Sequence, residues 1–176
     1  ARYAALCQEQ GLVPIVEPEI LMDGTHTIDE SYQLTTETLY NVFYELVSQG
    51  VELEGIVLKP NMVLSGYDCS DQASVEQVAE MTVDCFLNTV PAVVPGIAFL
   101  SGGQSDELAT AHLNAMNQID GTPWNLTFSY GRALQAPALK AWSGKDENIS
   151  NAQEAFMNRA KFNSLATKGE YSKDME

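Results

Sequence analysis

The sequence has few basic residues: 9 Lys and Arg stand against 24 Asp and Glu, which gives a formal net charge of −15 at pH 7. Nucleic acids and anionic membranes bind basic surfaces, so we expect neither as a partner. Long apolar runs are also lacking, because no stretch approaches the about 18 apolar residues of a membrane-spanning helix. The first residues do not form a signal peptide, and we expect a cytoplasmic protein.

Cysteine and histidine are scarce as well. Cys7, Cys69 and Cys85 lie far apart and form no C-x-x-C pair, so they predict neither a disulfide framework nor a zinc site. We interpret them as reduced, mostly buried thiols. His26 and His112 show no metal-ligand spacing, and we expect neither a metal nor a cofactor.

Four short apolar runs recur along the chain, and each ends in polar residues, glycine or proline. They are Leu12 to Val16, Ile56 to Leu58, Ile97 to Leu100 and Leu126 to Phe128. Helical patterns follow the runs, which predicts repeated βα units with parallel strands. A complete (β/α)₈ barrel needs eight units and typically about 250 residues. The chain is therefore either a small open α/β domain or half a barrel, and we expect residues 1–176 to form one unit.

Helix boundaries are marked by capping boxes and glycines. Thr27 with Glu30 and Ser74 with Gln77 predict two helix starts, and Gly50 predicts the end of the first helix. Ser105 predicts the start of a third helix. A short helix near 133–142 and a long one near 147–168 follow. The apolar spacing predicts these core-facing side chains: Leu39, Val42, Phe43, Leu46 and Val47 in the first helix, Val75, Val78, Ala79, Thr82 and Phe86 in the second, and Leu108, Ala109, Leu113 and Met116 in the third.

Lys59 ends the second apolar run and is the only Lys or Arg between Arg2 and Arg132. Burial at a strand end disfavours the ammonium form of a lysine, and a neutral lysine amine attacks carbonyl groups. The alternative is an ion pair with a carboxylate such as Glu17 or Glu54 at the rim of the sheet. Spacing alone leaves both interpretations open.

Two carboxylates, Glu17 and Glu19, close the first apolar run. Residues i and i+2 of a strand point to the same side, so both side chains could face one cleft. The pKa values of two carboxylates that lie close together move apart, so that one group acts as an acid and the other as a base or electrostatic partner. The alternative is a solvated strand end in an acidic protein.

Two later loops have the composition of anion sites. Ser101 to Ser105 is a small-residue turn that opens a helix, where backbone amides can bind an anion. Tyr130-Gly131-Arg132 follows the next apolar run and adds a guanidinium suited to phosphate. A glycine-rich turn alone is weak evidence, but two such loops after consecutive strands predict a phosphate site.

The longest motifs occur in this order: Val13–Ile20, Leu53–Gly55 with Leu58–Val63, Phe99–Ser105 and Leu126–Gln135. With these motifs in this order, the sequence resembles the carboxyl-terminal half of class I fructose-1,6-bisphosphate aldolase. The similarity continues through Ala138–Trp142 and Asn163–Ala166. The resemblance implies a (β/α)₈ TIM barrel in which this chain supplies strands five to eight and the carboxyl-terminal helix.

The resemblance also implies residue roles. Lys59 would form a Schiff base with the substrate ketone, Glu17 would shuttle protons, and Glu19 would support the pair. The residues implied for the substrate phosphate are Leu100, Ser101, Gly102, Ser129, Gly131 and Arg132. The implied reaction is the reversible cleavage of fructose 1,6-bisphosphate in glycolysis and gluconeogenesis, without metal or cofactor.

The implied partners are a ketose phosphate, the amino-terminal half of the barrel and further copies of the chain, as a homotetramer. An acidic residue and lysines of the family's earlier strands would precede Ala1, and its carboxyl-terminal tail would follow Glu176. We therefore expect the isolated chain to have little activity. The alternative is a non-catalytic half-barrel that binds phosphorylated ligands or a partner chain.

Overall fold

A computed structural model describes residues 1–176. Short 3₁₀ helices at Leu53–Gly55, Asp146–Asn148 and Lys173–Met175 accompany the main elements. The main elements are, in chain order, α1 (Arg2–Glu9), β1 (Ile15–Val16), α2 (Ile28–Ser48), β2 (Val57–Leu58), α3 (Val75–Thr89), β3 (Gly96–Phe99), α4 (Asp106–Asn117), β4 (Asn125–Phe128), α5 (Arg132–Trp142) and α6 (Ile149–Ala166).

The four strands form one parallel sheet in the order β1-β2-β3-β4. Val16 pairs with Leu58, Leu58 with Ile97, and Ile97 with Leu126. This confirms the predicted parallel strands, although β1 covers only two residues of the first apolar run. Because the strands are parallel, their carboxyl ends lie at one edge of the sheet, which we call the carboxyl edge. The opposite edge is the amino edge.

The predicted capping boxes of α2 and α3 are both present. The Thr27 side chain accepts a hydrogen bond from the Glu30 backbone amide, and the Ser74 side chain accepts one from the Gln77 backbone amide. The side chains of Glu30 and Gln77 in turn accept hydrogen bonds from the backbone amides of Thr27 and Ser74. Gly50 ends α2 with φ +70°, as predicted. Gly11 and Gly121 also have positive φ in turns that lead from a helix to a strand at the amino edge.

The apolar faces of the helices were predicted in part. Leu39, Phe43 and Leu46 are buried in α2, as predicted, but Val47 is 63% exposed. A one-residue step turns about 100° around a helix, so Val47 faces away from the core that Leu46 fills. Leu108, in the first turn of α4, is 41% exposed, so its prediction was also wrong.

The core lies between the sheet and its covering helices. Phe86 of α3 stacks on Phe99 of β3, with ring centroids 5.7 Å apart. β1 is the outermost strand of the sheet, so its Ile15 has no neighbouring strand on one side and is 49% exposed.

The thiols were predicted to be mostly buried, but only Cys85 is buried. Cys7 and Cys69 are half-buried, and all three cysteines are free. No helix is long and apolar enough to cross a membrane.

One buried guanidinium joins the last segments of the chain. Arg159 of α6 is 4% exposed and donates to the Asp106 carbonyl at 2.9 Å and to the Thr110 hydroxyl at 2.5 Å. Its other nitrogen is ion-paired with the Glu176 carboxylate. A buried charge is tolerated when it is paired and hydrogen-bonded. Arg159 thereby holds α6 and residues near Glu176 against α4.

Candidate active site

Lys59 and Glu17 meet at the carboxyl edge. Each follows its strand directly, and the Val16–Leu58 register places them side by side. The Lys59 amide donates to the Val16 carbonyl at 2.7 Å, and the Lys59 Nζ lies 2.9 Å from the Glu17 Oε1. The Lys59 side chain is 19% exposed and that of Glu17 is 47% exposed. A largely buried amine thus has a carboxylate within proton-transfer distance.

The other two carboxylates considered for Lys59 do not pair with it. Glu19 is exposed and forms no ion pair. Glu54 lies in the 3₁₀ helix before β2, at the opposite end of that strand from Lys59. Of Glu17, Glu19 and Glu54, only Glu17 therefore forms an ion pair with Lys59.

Asn61 fixes the segment that carries the two glutamates, a role that the sequence reasoning did not assign. Its buried side-chain oxygen accepts the Ile20 amide at 2.9 Å, and its nitrogen donates to the Thr35 hydroxyl at 3.2 Å. The β1–α2 loop is thereby tied to the chain just beyond Lys59. This restricts how far Glu17 can move from the lysine.

The turn after β3 leaves backbone and hydroxyl donors without partners in the chain. Gly102 and Gly103 have φ of +58° and +83°, which residues with a Cβ rarely adopt. The turn leads into α4, whose N-cap Ser105 accepts the Leu108 amide. Neither the Gly102 amide nor the Ser101 hydroxyl donates a hydrogen bond within the chain. Leu100 is different, because its amide already donates to the Pro60 carbonyl at 3.1 Å.

The second predicted anion loop lies beside the first. The Ser129 amide donates to the Phe99 carbonyl at 2.8 Å, which extends the β3–β4 pairing beyond the strands. Gly131 is the N-cap of α5 and supplies no side-chain cap, and its amide donates no bond within the chain. Arg132 begins α5, is exposed and has no ion-pair partner. An uncapped helix start with a free guanidinium favours an anion.

Tyr67 contacts the first anion loop from the loop between β2 and α3, and sequence reasoning missed it. Its hydroxyl donates to the Gly102 carbonyl. Burial raises the pKa of the Tyr67 phenol, the Arg132 guanidinium opposes that rise, and the carboxylates of Asp23 and Glu19 add to it. Tyr67 therefore lies among the charged groups of the site. No motif marks it, because its partner is a backbone carbonyl 35 residues away.

His112 and Gln104 form a buried pair behind the same loop. His112 Nδ1 lies 2.6 Å from Gln104 Oε1, and Gln104 Nε2 donates to the Ser101 carbonyl at 3.0 Å. His112 is 2% exposed. Burial lowers the pKa of His112 from 6.5 to about 4, and the Glu76 carboxylate acts in the opposite direction. The folded chain therefore holds His112 neutral.

A pH-dependent loss of stability is expected from His112. Below about pH 6.5 the unfolded chain protonates this imidazole and the folded chain does not, so the free energy of unfolding falls as the pH drops toward 4. The imidazole alone should remove about 2 kcal/mol between pH 7 and pH 5. Urea unfolding of the parent and of His112→Asn at both pH values measures this. Equal losses in the two proteins would contradict it.

Comparisons with known proteins agree with this geometry. The family model described as "Fructose-bisphosphate aldolase class-I" matches residues 1–176. A probable fructose-bisphosphate aldolase class 1 of Xylella fastidiosa is 58% identical over 97% of the chain and 52% of its own length. The cytosolic fructose-bisphosphate aldolase 4 of Arabidopsis thaliana is 55% identical over 100% of the chain and 45% of its own length.

A solved structure agrees as well. Fructose-bisphosphate aldolase of Plasmodium falciparum, crystallised with TRAP and a small-molecule inhibitor, superposes with a TM-score of 0.95 at 51% identity, covering 97% of the chain and 49% of that protein. The chain spans about half the length of the curated relatives it matches, and the match is to their carboxyl-terminal half. Its four parallel strands and helices are consistent with half of a (β/α)₈ barrel. The chain belongs to the class-I fructose-bisphosphate aldolase family.

Proposed function

We propose that this chain carries the Schiff-base lysine of a class-I fructose-bisphosphate aldolase that acts in the cytoplasm, in glycolysis and gluconeogenesis. The substrate would be fructose 1,6-bisphosphate, cleaved reversibly to dihydroxyacetone phosphate and glyceraldehyde 3-phosphate. The observation that carries the proposal is the 2.9 Å contact between Lys59 Nζ and Glu17 Oε1 at the carboxyl edge. That edge holds the active sites of (β/α)₈ enzymes.

In the proposed first step, Lys59 gives a proton to Glu17 and its neutral Nζ attacks the C2 ketone. Glu17 returns that proton to the C2 oxygen to give the protonated carbinolamine. It then takes a second proton from Nζ and passes it to the same oxygen, which leaves as water while the nitrogen lone pair forms the C=N bond of the iminium. The iminium then accepts the electrons of the C3–C4 bond, so that cleavage gives an enamine in place of a bare carbanion. Glu17, again a carboxylate, is placed to take the proton of the C4 hydroxyl as the aldehyde departs. Covalent catalysis thereby divides one difficult step into easier ones.

The two anion loops are proposed to hold the phosphate on the dihydroxyacetone side. The loops after the neighbouring strands β3 and β4 carry the groups proposed for this role: the free amides of Gly102 and Gly131, the hydroxyls of Ser101 and Ser129, and the Arg132 guanidinium. Leu100 would contribute only through its side chain, which lies next to Gly102, because its amide already donates to the Pro60 carbonyl. Glu19 would act on Lys59 only through its charge, since it does not touch the lysine.

Borohydride trapping tests the proposed nucleophile. The protein for this test is the complete barrel, meaning this chain with the amino-terminal half of the family's barrel supplied in the same chain or as a second one. Reduction in the presence of dihydroxyacetone phosphate should fix substrate mass on the peptide that contains Lys59, and a Lys59→Arg variant should lose the label. Label on Lys140 or Lys145, or no label at all, would overturn the assignment.

A second candidate function is a half-barrel that binds a phosphorylated ligand or partner chain without catalysis. The exposed edge of the sheet favours it, because Val13 and Ile15 are 65% and 49% exposed beside an unpaired strand edge. Open strand edges invite pairing with another chain. We propose the amino-terminal half as that chain and a homotetramer as the assembly, with no nucleic acid or membrane bound. The trapping experiment separates the two functions, since a complete barrel without label on any lysine would leave only the binding role.

A further inference from the structure

Two side chains hold the backbone of Gly102: Gln104 from within the turn after β3, and Tyr67 from the loop between β2 and α3. Gln104 Nε2 donates to the Ser101 carbonyl at 3.0 Å, and the Tyr67 hydroxyl donates to the Gly102 carbonyl. The first carbonyl belongs to the peptide plane before the Gly102 Cα, and the second belongs to the plane after it. Both planes that flank Gly102 are therefore fixed by side-chain donors.

This arrangement decides where the Gly102 amide points. In a planar trans peptide the N–H is antiparallel to the C=O, so fixing the Ser101 carbonyl also fixes the direction of the Gly102 N–H. That N–H has no acceptor within the chain. At φ +58° the glycine has no side chain to restrict it, and glycine is the most freely rotating residue. The Gln104 backbone amide also donates to the Ser101 carbonyl, at 3.1 Å, and the two side-chain donors add to this restraint on the peptide planes around Gly102.

His112 determines the orientation of the Gln104 amide. Because Gln104 Nε2 donates to the Ser101 carbonyl, the Gln104 Oε1 is the acceptor that faces His112 Nδ1 at 2.6 Å. His112 Nδ1 must then carry the proton, which specifies the Nδ1–H tautomer. The side chains are 8% and 2% exposed, so water does not compete for these bonds. A flipped Gln104 amide would face the Ser101 carbonyl with an oxygen.

Tyr67 is held equally firmly at its own backbone. Its amide donates to the Met22 carbonyl at 2.8 Å, and the amide of neighbouring Gly66 donates to the His26 carbonyl at 2.8 Å. A Cβ at Gly66 would lie 2.4 Å from the Gly24 carbonyl oxygen, so the two loops approach as closely as glycine allows. The phenol therefore reaches Gly102 from a rigid base.

We propose that Tyr67 and the Gln104–His112 pair are positioning residues that aim the Gly102 amide at the substrate phosphate. The inference rests on the proposed function for the identity of the anion. Donors fixed before the ligand arrives require no reorganisation on binding, so they bind charge more strongly than mobile donors do.

The test uses single substitutions in the complete barrel. Tyr67→Phe removes only the hydroxyl, and His112→Leu removes the donor to Gln104. His112→Leu should raise the KM for fructose 1,6-bisphosphate and the inhibition constant of inorganic phosphate by about fivefold to thirtyfold, as expected for one lost buried hydrogen bond. Tyr67→Phe, which loses an exposed hydrogen bond, should raise both by about twofold to tenfold. His112→Asn should restore near-parent values, because its amide nitrogen lies near the position of the imidazole Nδ1. Borohydride labelling of Lys59 at saturating substrate should stay intact.

A matched control is Tyr40→Phe. In the parent the Tyr40 hydroxyl donates to the Asn88 carbonyl at 3.1 Å, on the outer helices. It should leave both constants unchanged. Thermal unfolding checks that Tyr67→Phe and His112→Leu are folded. If these folded variants behave like the control while Lys59 is still labelled, the positioning role is overturned.

Nuclear magnetic resonance keeps the test independent of turnover. The ¹⁵N shifts of His112 should show the Nδ1–H tautomer, and a given concentration of inorganic phosphate should shift the Gly102 amide resonance less in Tyr67→Phe than in the parent. These results would support the positioning role even if Lys59 proved not to be the nucleophile. An Nε2–H tautomer, or the same phosphate response in both proteins, would overturn it.

Discussion

The 176-residue chain alone should cleave fructose 1,6-bisphosphate at least about 10²-fold more slowly than the complete barrel. The amino-terminal half is expected to supply further acid–base groups, and each positioned group contributes about 10²–10⁴-fold. The chain has Lys59 and Glu17, but it spans only about half the length of its relatives. Its sheet has two open edges, and the Glu17 side chain is 47% exposed to water that competes for proton transfer.

The measurement is a coupled assay of triose phosphate formation by the chain alone and after mixing with the amino-terminal half. Activity should recover only on mixing, and Lys59→Arg in the mixture should abolish it. Sedimentation of each sample shows whether the halves associate and whether the isolated chain pairs with itself through its open edges. Turnover by the isolated chain close to that of the complete barrel would contradict the half-barrel interpretation.

Replacing Glu17 with Gln in the complete barrel should lower kcat/KM by about 10²–10⁴-fold. Glutamine has nearly the same shape, but it cannot take the Lys59 proton across the 2.9 Å contact or return it to the departing oxygen. Steady-state kinetics and the rate of borohydride-trapped Schiff base formation both report this loss. Borohydride should trap less adduct per unit time, because the carbinolamine loses water slowly.

Glu19→Gln is the matched control for Glu17→Gln. It removes the same charge two residues away, from a carboxylate that is exposed and does not contact Lys59. Its effect on kcat/KM should be smaller by at least tenfold, since only a screened charge is lost. Equal effects of the two substitutions would mean that local charge, and not proton transfer by Glu17, sustains the reaction.

The elements that sequence reasoning predicted well are those governed by local chemistry. The capping boxes at Thr27 and Ser74 and the stop at Gly50 each depend on a few neighbouring residues, and the parallel direction of the strands follows from the repeated βα pattern. Val47 and Leu108 were mispredicted because apolar residues at the flank of a helix satisfy the same periodicity as those that face the core.

The candidate site was predicted where a motif supplied the residues and missed where contacts between distant loops did. Lys59 and Glu17 each directly follow an apolar run that was predicted to be a strand, and the register of the paired strands brings the two side chains together. Tyr67 donates to a backbone carbonyl 35 residues away, Asn61 accepts from a backbone amide 41 residues away, and His112 contacts a side-chain amide 8 residues away. Such partners carry no pattern in the sequence, because any residue supplies a carbonyl.

The turns at the amino edge give the protein a place to change without affecting its chemistry. Gly11, Gly50 and Gly121 lie there, and a Cβ at any of them would touch nothing within 4 Å. Every residue assigned to the reaction lies at the other end of the strands, across a packed core that moves little. A fluorophore, an affinity tag or an inserted loop of several residues can therefore be attached at the amino edge, where the open turns tolerate added chain.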